Sequence, residues 1–505
     1  MKAGTGTGFV RWIAALLVAA AASGCATLDP VQGERLAADA PVHDCLGWYA
    51  ALDAAVDGAG VRDGRDARVA GFPYLRVDRF AAALAGEAHG ERDKLHALAD
   101  LMLGLDLEAR THEIANLPRK SLAALWQDRG EPNVSAAVRE TRECGRQLRD
   151  FDLEHPGTGA ALLARLAVPD DYFTGYRLAG LYALTKIPFS AGVVRHMAQT
   201  RDAFARDLAA TAEGTVLRYS PNSRPRLSPA RLRDIFQRAV DNPLRVPDPT
   251  DEEMAALFAF YAPTFEVETT GDHDRPGALR WRWGALPEVE AADTAVYRQV
   301  AYTRYRGVNL MQLVYTLWFP ERPAQSAGDI LAGPIDGVVF RVTLSPQGVP
   351  LVYDTIHPCG CYHMFFPTPR ARPVAAPEGE VEWAFVPQSL DAIGHEDKLV
   401  VRIATRTHYV ERVFVDRVDS VARYDLRPYD ELRSLPLMPG GHRSVFGTDG
   451  LLPGTERGER FLFWPMGIAS AGAMRQWGRQ PTAFVGRRHF DDADLIERRF
   501  VLDLQ

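Results

Sequence analysis

The chain has 505 residues, 47% of them hydrophobic and 24% charged, with a formal net charge of −7. That length is enough for two or three domains with substantial cores. The acidic balance gives no reason to expect nucleic acid as a partner, because phosphate recognition favours a basic surface.

The first residues read as an export signal. Lys2 and Arg11 supply a positive start, Ile13–Ala22 ("IAALLVAAAA") an apolar stretch, and "ASGC" the small residues of a cleavage site. The stretch is too short to cross a hydrocarbon core of about 30 Å as a helix. Ala22-Ser23-Gly24-Cys25 resembles the lipobox of bacterial lipoproteins, with Ala22 where Leu is commonest. The resemblance implies cleavage after residue 24, acylation of Cys25 and attachment to a membrane through the N-terminal lipid. Ala26 and Thr27 lack the Asp that implies inner-membrane retention in enterobacterial members. By that resemblance the outer membrane is favoured, with the body in the periplasm or at the cell surface. The competing reading is an ordinary signal peptide cut elsewhere. Loss of Lys2 and Arg11 moves the formal charge from −7 to −9.

Residues 25–40 read as a tether and 41–240 as an α-helical domain. "RDKLHALADLMLGLDLEART" and "NVSAAVRETRECGRQLRDF" show apolar spacings of three and four. "GYRLAGLYALTKIPFSAGVVRHMAQTRDAFARDLA" continues the pattern, with a break expected at Pro188. Ser228-Pro229 marks another helix start. Residues 241–262 read as a linker and short helix, opened by Thr250 and Glu253 at capping-box spacing.

From 263 to 505 the text turns β-rich. "AVYRQVAYTRY", "NLMQLVYTLWF", "GVVFRVTL" and "KLVVRIATRTHYVERVFV" are short runs rich in Val, Tyr, Thr and Phe. The fold class expected is α+β: a helical N-terminal domain, then a mainly antiparallel β domain. "LVYTLWF" fits a buried strand. "FFPTPRARPVAAPEGE" reads as a proline-rich loop or flap, "GDHDRPG" as a solvated turn, "SAGAMRQWGRQ" as a short helix and "TAFVG" as a strand.

Five cysteines are present. With Cys25 set aside, four allow three pairings, and an exported chain meets an oxidising environment. A Cys45–Cys144 bridge would close a loop of about a hundred residues, nominally about 4–5 kcal/mol of chain entropy. The competing reading is two unpaired buried thiols.

"HPCGCYH" is the densest run of reactive side chains: His357, Cys359, Cys361 and His363. In an extended strand all four would share one face, but the ends would lie about 20 Å apart. One ion needs ligand atoms about 2.0–2.3 Å from its centre. Pro358 and Gly360 suggest a turn that brings a subset together. Four readings stand: a structural turn or disulfide, a zinc or copper site, a thiol redox pair, and a cysteine nucleophile with a histidine base. A metal would need a remote ligand, with His408 the leading candidate and His395 another.

Arg475, Arg487, Arg488 and His489 form a second cluster, a candidate anion-binding rim. The favoured alternative there is an exposed turn with local Arg–Asp pairs. No G-x-S-x-G elbow, H-E-x-x-H, Walker loop or dinucleotide fingerprint occurs. The resulting expectation is a lipid-anchored envelope protein with a binding or structural role and a Cys/His turn at 357–363. The alternative is an envelope enzyme, metal-dependent or thiol-based, centred on that turn. An envelope protein partner would meet the helical domain.

Overall fold

The computed structural model describes residues 29–126, 133–208, 212–282, 286–395, 397–416 and 422–504. The signal peptide and Cys25 lie outside the described residues. The fold is α+β: a helical N-terminal region followed by a mixed sheet in the C-terminal half.

Three long helices build the first body: α1 (Ala40–Ala59), α2 (Arg92–Asn116) and α3 (Val134–Glu154). Leu52, Met102 and Leu148 meet in its core with Phe72 and Tyr74, which come from a small hairpin, Ala67–Val69 with Phe72–Val77. Cys45 on α1 and Cys144 on α3 form a disulfide, the bridge the sequence suggested. Residues 30–36, inside the expected tether, are already helical.

Helix α4 (Tyr182–Ala205) runs unbroken through Pro188, correcting the expected break. A proline inside a helix removes an N–H donor and costs about 3 kcal/mol. Pro188 and Leu184 are both exposed, so the carbonyl left without its donor lies on the solvent side.

The sheet has ten strands: β1 (Thr215–Pro221), β2 (Thr264–Thr269), β3 (Ala295–Tyr305), β4 (Val308–Arg322), β5 (Gly333–Leu344), β6 (Pro350–Ile356), β7 (Met364–Pro367), β8 (Lys398–Ile403), β9 (Val410–Asp416) and β10 (Ala422–Pro428). Their order is β7-β6-β5-β4-β3-β10-β1-β2-β8-β9. Strands β3 to β7 form an antiparallel meander, while β10 runs parallel to both β1 and β3, and β8 parallel to β2. β1 thus brings part of the expected helical domain into the sheet. The helix Pro229–Ala239, capped by Ser228, and α5 (Asp251–Tyr261), opened by the Thr250/Glu253 capping box, pack Phe236, Leu257 and Phe258 against one sheet face. Leu313, Tyr315 and Leu317 enter that core, while Val314 and Trp318 enter the core on the other face. A strand buried on both faces reads as an unbroken apolar run, which is why "LVYTLWF" does not alternate.

The C-terminal tail differs from its sequence reading. Residues 473–485 hold neither helix nor strand, only isolated bridges. Gly472, Gly478 and Gly486 take positive φ, and the backbone bonds outward: Arg475 N to Pro358 O, Gln476 N to Gly450 O. The proline-rich stretch is partly sheet, with Ala371–Pro373 paired to Phe500–Leu502. Buried ion pairs fasten this half to the helical body, Arg433 Nε reaching Asp63 Oδ2 at 2.8 Å.

Candidate functional site

The heptapeptide joins β6 to β7 and folds back. His357 N donates to Cys361 O at 3.0 Å, and Gly360 N to His357 O at 2.8 Å. Gly360 has φ of 95°, and a Cβ there would lie 2.2 Å from Pro481 O, so only glycine fits. Tyr362 carries φ of 61°, an uncommon conformation for an aromatic residue.

The fold-back sends the four side chains different ways. His357 Nδ1 faces Asp336 Oδ1 at 3.3 Å, and His363 Nε2 faces Asp354 Oδ2 at 2.9 Å. Asp354 is also the cross-strand partner of Arg341, which grips it through Nε at 2.9 Å and Nη2 at 2.5 Å. Burial pushes the His363 pKa down to about 3, against the pull of Asp354. The ring is therefore neutral, with Nε2–H donated and Nδ1 left without a partner among the described residues. Cys359 and Cys361 are unpaired thiols. A hydrogen bond with Cys359, and then burial, push the Cys361 pKa well up. Among the described residues no group of three or more His, Cys, Asp or Glu side chains could hold a metal ion.

His408 does come close, but through a carboxylate. It sits in the loop between β8 and β9, with Nδ1 2.9 Å from Asp336 Oδ2 and Nε2 3.4 Å from Asp274 Oδ1. Its ring stacks on Phe319, centroids 4.0 Å apart, and Phe319 is the register partner of Asp336. Burial opposes a charge on His408, yet bonds to Asp274 and Asp336 raise its pKa above the ordinary value. Asp274 belongs to the expected solvated turn; it is instead fully buried, accepting from Thr270 N, Thr405 Oγ1 and Arg406 N. Four groups thus run in line: Asp274, His408, Asp336, His357. The other candidate, His395, is exposed and contacts Leu227 O.

These carboxylates brace two loops against one cavity of about 770 Å³. Cys361, Tyr362 and His363 line it from the β6–β7 turn, and Thr407 and Tyr409 from the β8–β9 loop. The Tyr409 hydroxyl donates to that of Tyr362 at 2.8 Å, and Arg322 Nη2 donates to the Tyr409 hydroxyl at 3.2 Å. His196 of α4 packs on both tyrosine rings. Glu459 lines the same wall, and burial lifts its pKa to about 7. The remaining lining is mainly apolar: Phe189, Val193 and Met197 of α4, with Phe385, Phe463 and Ile468. Of the eight non-glycine residues at positive φ among the described residues, five (Ile335, Tyr362, Arg406, His408 and Ser470) lie on or beside these segments. Such strain persists where surrounding contacts over-determine it, commonly at functional sites.

The arginine cluster divides, which corrects the expected exposed turn. Arg487 is exposed and pairs with Asp170. Arg475, Arg488 and His489 are buried. Arg475 donates to Ala469 O at 2.5 Å, and Arg488 to the carbonyls of Glu382, Trp383 and Thr482. His489 Nε2 lies 3.4 Å from Asp171. Arg488 alone of the four lines the cavity. Asp274, Asp336, Asp354, His196, Tyr409 and Glu459 were not singled out from sequence. The signal for Asp336 and Asp354 was a carboxylate inside an apolar strand, which must find a partner when buried.

Fold and site together define a mixed α+β protein with an apolar cavity walled by two histidine–carboxylate-braced loops. Comparison of the chain with family models, with curated proteins and with solved structures finds no match.

Proposed function

We propose that the protein binds an elongated apolar small molecule in the 770 Å³ cavity, as a lipid-anchored component of the cell envelope. The carrying observation is the lining itself: mainly aliphatic and aromatic walls, with polar groups at Cys361, Tyr362, Tyr409 and Glu459 and charged side chains at Arg206, Glu382, Glu411 and Arg488. That combination and volume suit a small-molecule site, where apolar walls supply affinity and the polar end sets orientation. Gly192 of α4 lines the cavity with open space around its Cβ position. Gly192→Trp should obstruct the cavity and strongly weaken binding of a long-chain fluorescent probe while leaving Tm unchanged. Full probe binding by that variant would refute the reading.

A second reading, a thiol-based enzyme acting on the bound molecule, is favoured by one observation. Cys359 and Cys361 both line the cavity, which puts two thiols beside a bound molecule. Mass spectrometry after mixing with an activated long-chain ester should then find an acyl adduct on Cys361. An adduct absent or formed equally in Cys361→Ser removes this reading.

Membrane attachment is proposed at Cys25, with the outer membrane favoured. Cys25→Ser should shift the protein from the membrane to the soluble fraction. An envelope protein partner is proposed for the faces of the helical body turned away from Arg433 and the sheet.

A further inference from the structure

The surface around the cavity mouth differs in charge from the rest of the chain. Residues 172–201 run thirty positions without an Asp or Glu, yet hold Arg177, Lys186, Arg195 and Arg201. This lies in a protein whose formal charge is −7. On the same stretch large apolar side chains face solvent: Leu178 is 73% exposed, Leu184 65% and Ile187 64%. The short helix Arg460–Phe463 adds Phe461 at 69% and Leu462 at 60%.

These two stretches form one surface. Phe189 packs on Phe463 with centroids 4.8 Å apart, and Tyr176 on Trp464 at 6.3 Å. Pro188 and Leu462 are both exposed and both line the cavity, so the cavity opens onto this surface. Large apolar residues exposed together are uncommon on a protein with no partner. Apolar side chains interleaved with basic ones, and no acid between, match the chemistry of an anionic lipid surface.

We infer that the surface formed by α4 and the Arg460–Phe463 helix docks on an anionic phospholipid bilayer, with the cavity mouth turned toward the lipid. The apolar side chains enter the headgroup boundary, and Lys186 and Arg195, both exposed on α4, meet phosphate. Docking of this kind is separate from a lipid anchor and from what the cavity holds.

The test uses the full chain carrying Cys25→Ser, so that no acyl chain contributes, with vesicles of phosphatidylglycerol and phosphatidylcholine. A variant with Leu184→Asp, Ile187→Asp and Phe461→Asp on the same background keeps the N-terminal segment constant. All three positions are solvent-exposed, so the fold is expected to survive, checked by Tm. The parent should bind the mixed vesicles about tenfold or more tightly than the variant. Brominated acyl chains should quench a fluorescence component that Trp464→Phe removes. Equal binding by parent and variant overturns the inference. So does a parent dimer that the variant dissolves while neither binds vesicles, which would make the surface an interface between copies. Binding of the cavity probe is read in the same samples; the variant should retain it, which separates failure of docking from failure of the cavity reading.

Discussion

His408 and Asp336 lie 2.9 Å apart beneath the cavity, and the far nitrogen of the same imidazole lies 3.4 Å from Asp274. One ring therefore ties the β8–β9 loop to β5 and to the turn that follows β2. Both carboxylates have pKa values below the ordinary range despite burial: Asp336 through the charge and hydrogen bonds of His357 and His408, Asp274 through His408, the Thr270 and Arg406 amides and the Thr405 hydroxyl. A charged imidazole between two buried carboxylates stabilises all three, and its removal leaves two facing charges without a partner.

His408→Asn should cost about 3–5 kcal/mol, the usual range for breaking a buried pair. The His408 pKa is raised in the folded state. Its contribution is thus fully present below the unfolded value near 6.5 and is lost as pH rises through the folded value. Urea denaturation of both proteins should show the largest stability gap at about pH 6 and a narrowing gap in alkali. A gap that widens with pH would contradict the assignment.

Gly360→Ala should lose at least about 2 kcal/mol, from the positive φ and the overlap with Pro481 O together. Probe binding should fall with it, since the turn carries Cys361 and Tyr362. Gly307→Ala, also at positive φ but in open space, provides the comparison without the overlap.

Cys45→Ser should cost about 2–5 kcal/mol, because the bridge closes a loop of 99 residues. The loss should appear in Tm and leave the cavity probe bound at low temperature. Thiol titration of the unfolded, unreduced protein should detect Cys359 and Cys361 but not Cys45 or Cys144.

Glu459 should make ligand binding pH-dependent. Its pKa is lifted to about 7 by burial, with Arg322 and Arg457 pulling the other way. A neutral apolar probe should bind best below pH 7, where Glu459 is protonated, and weaken above it. Glu459→Gln should flatten the profile; an unchanged profile would place the titrating group elsewhere.

Much of the fold is legible in the residues. The long strand runs between 295 and 416, the Thr250/Glu253 box and the Ser228-Pro229 start all rest on local chemistry and appear, whereas "TAFVG" does not form a strand. Pro358 and Gly360 signalled the fold-back. The site was only half legible. His357 and His363 are six positions apart in sequence, but their partners are set by strand register and by chain crossings. Asp336 reaches His408 across 72 positions, and Asp274 reaches Thr405 across 131. No local pattern encodes such pairings. The arginine-rich tail misleads for a related reason: Arg475 and Arg488 are buried because loop carbonyls converge on them, and carbonyl geometry has no residue signature.

Photolabelling with a diazirine-bearing long-chain alcohol, followed by peptide mapping, tests cavity binding most directly. Adducts should fall on Val193, Met197, Phe385 and Phe463, the lining side chains, and should be strongly reduced in Gly192→Trp. Adducts confined to the outer surface at Leu184 and Phe461, unchanged in Gly192→Trp, would contradict a ligand in the cavity.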